Sequence, residues 1–125
     1  MTKVLALDYG SARTGVAVSD PTGTVARPLT TVERAATENG FAKLLAVVGE
    51  ENPGLVVVGM PLTLRGEHGE QARETAEFVE RLRSFLTVPV ETYDERFTSV
   101  LAGGDDARAA AHLLSSYLEW QSSRG

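Results

Sequence analysis

Residues 3–20, KVLALDYGSARTGVAVSD, decide the fold. Val4-Leu5-Ala6-Leu7 is a short apolar run that ends on a carboxylate, Asp8. Tyr9 and Gly10 follow, then a polar turn with Arg13, then a second β-rich run, Gly15-Val16-Ala17-Val18. Two apolar runs of strand length joined by a short polar turn predict a β-hairpin. The first strand, Lys3 to Leu7, is apolar on both faces, which places it inside a sheet. The acid at its end therefore stands out. A carboxylate there is costly unless it is paired, binds metal or does chemistry.

Outward from the hairpin, Asp20-Pro21-Thr22-Gly23 has the residues of a turn: Asp to start, Pro for a set φ, Gly for a positive one. A third strand is expected from about Val25 to Val32. Pro28 inside it cannot donate to a ladder, so this strand belongs at an edge. A helix is expected over Thr37 to Glu51, with Phe41, Leu44, Leu45 and Val48 on one face, stopped by Asn52-Pro53-Gly54. Leu55-Val56-Val57-Val58 is a second continuous apolar strand. The helix before it makes it parallel to a neighbour, as in a βαβ unit. A loop, Met60 to Gly69, leads into a helix from Glu70 to Phe85 with the stripe Ala72, Ala76, Val79, Leu82, Leu86. Val88 to Tyr93 is the fifth strand. The last helix is expected from Asp105 or Asp106 to Trp120, with Ala107, Ala110, Ala111, Leu114 and Leu118 buried. The order β-β-β-α-β-α-β-α predicts an α/β domain: three antiparallel strands, then βαβ units, in a mixed five-stranded sheet flanked by helices. One domain is expected over 1–121, with 122–125 as a tail.

Composition narrows the chemistry. With 125 residues the chain is long enough for one core. There are no cysteines and only two histidines, His68 and His112, which excludes thiolate catalysis, Cys-bound zinc and a His-rich metal site. No stretch has the length of a membrane span and the start lacks a signal pattern, so a cytoplasmic location and no membrane partner are expected. The net charge of −5 argues against a broad electrostatic grip on nucleic acid but leaves room for a local one. The cations are ten arginines against Lys3 and Lys43. Arginine suits bidentate phosphate contacts, although a compositional habit of the source genome explains the excess equally well.

Three elements end in acids. Asp8 closes the first strand, Asp94 and Glu95 close the fifth, and Asp106 lies in the first turn of the last helix. Positions 106, 110, 113 and 117 share one helical face. If that helix packs over strands one and five, the acids converge, and such a cluster repels itself unless cations neutralise it. Hard oxygen ligands without His or Cys suit Mg²⁺ or Mn²⁺. Two such ions roughly 4 Å apart support phosphodiester hydrolysis. Each acid also has a plainer role: Asp105 or Asp106 as a helix cap, Asp94 as a turn residue or a partner of Arg96. Asp8, after four apolar residues, is the hardest to explain that way.

Four stretches, in this order, carry a family resemblance: LALDYGSARTGVAVSD, VVVGMPLTLRGEHGEQA, TYDERFTS and DDARAAAHLLSSYL. The chain resembles the YqgF/RuvX family, Holliday-junction-resolvase-like nucleases with an RNase H-like fold. The third stretch resembles the family's D-E-R-x-T signature and the fourth its final D-x-x-A-A helix. The resemblance implies that Asp8, Glu95 and Asp106 are the catalytic acids and hold divalent metal, with Asp94 a secondary candidate. It implies a nuclease, with two proposed family roles: maturing the 5′ end of precursor 16S rRNA and cutting branched DNA. RNA, branched DNA or both are therefore the expected partners, of a monomer or weak homodimer. One departure stands out: only seven residues separate Thr98 from Asp106, where family members carry a longer, more basic segment.

Around the acids, Gly10, Arg13, Arg65, Arg96 and Thr98 are candidates for substrate contact. Arg13 follows Asp8 and can reach a phosphate, or is an ordinary turn residue. Gly10 permits close backbone approach, or a tight turn. Arg96 and Thr98 can hold the scissile phosphate, or pair with Asp94 and cap a short helix. Arg65 sits in a loop that can wall the groove. Tyr9 is a base-stacking candidate or a half-buried strand-end tyrosine. Two other readings stay open. Asp8-Tyr9-Gly10 through Gly15 looks like the phosphate motif of actin-like and sugar kinases, which need a second domain. A non-catalytic nucleic-acid- or ribosome-associated module, with vestigial acids, is the other.

Overall fold

Leu5 and Leu7 point to one side of a sheet, Val4 and Ala6 to the other, and both sides are covered. The computed structural model describes residues 2–61, 69–94 and 106–123. Its elements run β1 (Val4–Asp8), β2 (Arg13–Ser19), β3 (Ala26–Glu33), α1 (Glu38–Glu51), β4 (Leu55–Met60), α2 (Glu70–Phe85), β5 (Val90–Asp94) and α3 (Asp106–Ser123). The strand order is β3-β2-β1-β4-β5. β1 pairs antiparallel with β2 and parallel with β4; β2–β3 is antiparallel and β4–β5 parallel. The expected order of elements and the mixed five-stranded sheet are both present.

The local signals explain the boundaries. The Thr37 hydroxyl accepts from the Gly40 N–H and starts α1. Asn52, at φ 48°, ends it in the left-handed conformation, and Pro53 follows. Pro28 sits on edge strand β3, where the register with β2 shifts between Val16 and Ala17. The Asp20 carboxylate accepts from the Thr22 hydroxyl and from the N–H groups of Thr24 and Val25, so the turn after β2 is tied by its first residue.

The two faces of the sheet differ in the size of their side chains. One carries Leu5, Leu7, Val16, Val18, Val56 and Val58 and packs on Phe41, Leu44 and Val48 of α1 and Phe78, Val79 and Leu82 of α2. The other carries Val4, Ala6, Ala17 and Val57 and packs on α3 through Ala110, Leu113, Leu114, Tyr117 and Leu118. Small residues let that single helix settle close to the strands.

The structure adjusts three of the expectations. In α2 the buried face is centred on Thr75 and Phe78, with Ala76 only half-buried and Leu86 beyond the helix, because Phe78 meets the aromatic pair Tyr9 and Phe41. In α3 the face turns toward Leu113 and Tyr117, and Ala107 and Ala111 lie at its margin. The same helix runs on to Ser123, beyond the expected end at Trp120 and into the stretch expected to be a tail.

Candidate metal centre

Asp8 is the last residue of β1 and its side chain takes the α3 side of the sheet, by alternation from Val4 and Ala6. Its partner in the register across β2 is Gly15. Arg13, Gly15 and Ala17 therefore share that face of β2. Gly15 has no side chain there, and the first turn of α3 occupies the space: a Cβ built on Gly15 would stand 1.8 Å from the Asp106 carbonyl oxygen. The helix start is thus seated beside Asp8.

The electrostatics record the closeness. The Asp8 carboxyl is pushed up from 3.8 to about 6, first by burial and second by the nearby Asp106 carboxylate. Among the described residues no ion pair reaches Asp8. Asp106 does have one: the Arg13 Nε lies 3.0 Å from its Oδ2, with the arginine side chain 58% exposed and the aspartate 31%. A carboxyl whose charge is disfavoured by burial and by a neighbouring carboxylate, with no ion pair among the described residues, is an arrangement that a hard divalent cation suits. Among the described residues no third His or acid joins the pair. Glu95, the third expected ligand, lies outside the described residues, as do Arg65, Arg96 and Thr98.

Asp94 ends β5 opposite Met60 of β4, at the same end of the sheet as Asp8. β5 is fastened to α3 by side chains. The Tyr93 hydroxyl lies 2.9 Å from the Ser116 Oγ, and the Tyr117 hydroxyl donates to Glu91 at 2.9 Å. These bonds hold the strand that precedes Glu95 against the helix that begins with Asp106. Neither tyrosine stood out in the sequence as more than packing.

The remaining candidates separate. A Cβ on Gly10 would stand 2.5 Å from the Arg13 carbonyl oxygen, so this glycine closes the β1–β2 turn. Tyr9 points to the other face, only 8% exposed, its ring stacked on Phe78 with centroids 4.4 Å apart. It is a core residue and is not placed to stack on a base. Gly15 entered the sequence reading only as the closing glycine of the kinase-like motif, with no role beside Asp8 and Asp106. The signal that could have found it is the period of two, which puts 13, 15 and 17 on one face, opposite Asp8.

Comparison with known proteins agrees with this layout. The family model described as "RuvX: Holliday junction resolvase" matches residues 2–120. A protein of Chloroflexus aggregans named "Putative pre-16S rRNA nuclease" is 48% identical over 99 residues, 79% of this chain and 70% of that one. A protein of the same name from Sulfurihydrogenibium is 46% identical over 134 aligned positions, 95% of this chain and 91% of that one. That alignment is longer than the 125 residues here, so the relative carries residues this chain lacks. Against two further Chloroflexus relatives the match spans 65% of their length. Among solved structures, T. thermophilus RuvC in complex with a Holliday junction superposes with a TM-score of 0.64 at 18% identity, covering 98% of this chain and 96% of that one. The Fowlpox virus resolvase bound to Holliday junction DNA gives 0.61 at 14%, covering 97% and 99%. At these identities the structures establish the shared RNase H-like fold. A family model spanning almost every residue, together with relatives close to half identical, settles the membership: the chain belongs to the RuvX family of Holliday-junction-resolvase-like nucleases.

Proposed function

We propose that this nuclease depends on a divalent cation and trims the 5′ end of precursor 16S rRNA. The observation that carries the chemistry is the seating of the Asp106 backbone against Gly15, directly across from Asp8, whose carboxyl is raised to about 6 first by burial and second by the Asp106 carboxylate. Asp8, Asp106 and, from the family signature, Glu95 are the residues that would hold Mg²⁺ or Mn²⁺. Bound there, the cation supplies an activated water and neutralises charge on the leaving oxygen. The substrate class is supported by the relatives, which carry the pre-16S rRNA name.

The chain's own residues contribute position. The short β1–β2 turn, closed at Gly10, holds Arg13 on the solvent side of Asp106. An arginine paired with a carboxylate at an exposed site loses little by exchanging it for a phosphate, since such pairs contribute about 0–1 kcal/mol. Arg13 is thus placed to release Asp106 and grip the substrate as the carboxylates take up metal. Arg96 and Thr98 belong to the same proposal on the family signature, and Arg65 on its place in the loop.

The test compares wild type, Asp8→Asn and Glu95→Gln on a 5′-extended 16S precursor and on a four-way DNA junction, each in Mn²⁺ and in chelator. Expected is metal-dependent shortening of the RNA by the wild type only. Cleavage of the junction with the RNA untouched would move the substrate to branched DNA. Undiminished cleavage by either variant would remove the metal-site reading.

A further inference from the structure

We infer that Gly15 is a positioning residue of the nuclease: its missing side chain sets the distance between the Asp8 and Asp106 carboxylates. The inference rests on the metal-site reading above.

Gly15 stands directly across from Asp8 in the β1–β2 ladder. A Cβ on it would lie 1.8 Å from the Asp106 carbonyl oxygen, 2.3 Å from its carbonyl carbon and 3.0 Å from the Ala107 nitrogen. All three are main-chain atoms of the first turn of α3, so no side-chain rotation relieves the contact. Carbon–oxygen contacts of this kind relax to roughly 3.3 Å, which moves the helix start away by about 1.5 Å. Metal sites tolerate ligand displacements of only about 0.2 Å.

A packing role alone does not account for the position. Ala17, two residues along on the same face of β2, is fully buried under α3 and does carry a Cβ. The helix is therefore closest to the sheet at its first turn, beside Asp8, and rides over a methyl group further on. The φ of Gly15 lies outside the left-handed region, so backbone conformation does not demand glycine either. What demands it is the approach of the Asp106 backbone. An alanine at 15 keeps the rest of the α3 interface and shifts the carboxylate.

The test uses the full chain and reads Mn²⁺ binding by calorimetry, with thermal melting alongside. Gly15→Ala is expected to melt cooperatively and to bind Mn²⁺ at least about tenfold more weakly, the range seen when ligand-orienting neighbours are lost. Ala17→Val crowds the same helix at a point further along it, not at the turn that carries Asp106. It is expected to lower the melting temperature and leave Mn²⁺ affinity unchanged. Asp106→Glu adds one methylene of reach. Alone it is expected to weaken binding; combined with Gly15→Ala it should recover part of the loss, which a merely structural role would not produce. Wild-type affinity in a folded Gly15→Ala, equal loss in Ala17→Val, or no recovery in the double variant overturns the inference. A Gly15→Ala chain that does not fold also overturns it, because the glycine would then serve folding. Asp106→Asn separates the two readings: unchanged Mn²⁺ binding in that variant removes the metal site itself, whatever Gly15 does.

Discussion

Replacing Asp8 by Asn is expected to stabilise the metal-free protein while abolishing its activity. The Asp8 carboxyl stands at about 6 in the folded chain against 3.8 ordinarily, raised by burial and by Asp106. Its proton is therefore held more tightly by the native state. Between those two values the unfolded chain has lost the proton and the native chain keeps it. Stability from this group is greatest below the unfolded value, falls as the pH rises through the folded one, and is level above it. Each tenfold in proton affinity is about 1.4 kcal/mol, so the native state is disfavoured at neutral pH by roughly 3 kcal/mol. An asparagine amide removes the charge but still needs hydrogen-bond partners, so the net gain is about 1–2 kcal/mol. For 125 residues that is a rise of roughly 4–8 °C in Tm. The assay is thermal or urea unfolding of both proteins in chelator from pH 4 to pH 8. The difference between them should be small near pH 4 and grow toward pH 7. Adding Mn²⁺ should reverse the order, because a ligand at 100 times its Kd stabilises the native state by about 2.7 kcal/mol. A pH-independent difference, or a less stable Asp8→Asn at pH 8 in chelator, would refute the reasoning.

Three further outcomes follow from the packing and the turns. Thr14 is fully buried with its Oγ1 unpartnered, so Thr14→Val should be neutral or stabilising by about 1 kcal/mol in urea melts. Phe78 joins α2 to Tyr9 and Phe41, and Phe78→Ala should cost about 3–5 kcal/mol with no direct effect on Mn²⁺ binding. Asp20 is held near 2 by the Thr22 hydroxyl and by the Val25 and Thr24 N–H groups, so its contribution to the turn is lost as the pH falls from about 4 toward 2; NMR titration of the carboxyl checks this, and Asp20→Ala should lose the dependence.

Much of the fold was legible because the signals are local. The apolar runs of β1 and β4, the second β-rich run in β2, the proline in β3 and the Asn-Pro-Gly stop after α1 each act within a few residues. The buried face of α2 was less legible. Ala76 and Leu86 satisfy the helical period as well as Thr75 and Phe78 do, and only contact with Tyr9 and Phe41 selects the latter pair. Tyr9 misleads in the same way. Its neighbour Asp8 faces the α3 side, yet strand alternation sends the tyrosine to the opposite core, where Phe78 receives it.

By itself the sequence determined the order of elements, the edge position of β3, and the chemistry of the acids: hard oxygen donors with no thiolate and few imidazoles. Motif resemblance assigned the family, and comparison with known proteins established it. Only the tertiary structure decided that Arg13 pairs with Asp106, that Tyr93 and Tyr117 clasp β5 to α3, and that Gly15 seats the helix beside Asp8. The physical reason is range. Periodicity and turn preferences act between residues a few positions apart, whereas Asp8 and Asp106 meet only after the sheet has formed and α3 has closed over its small-residue face.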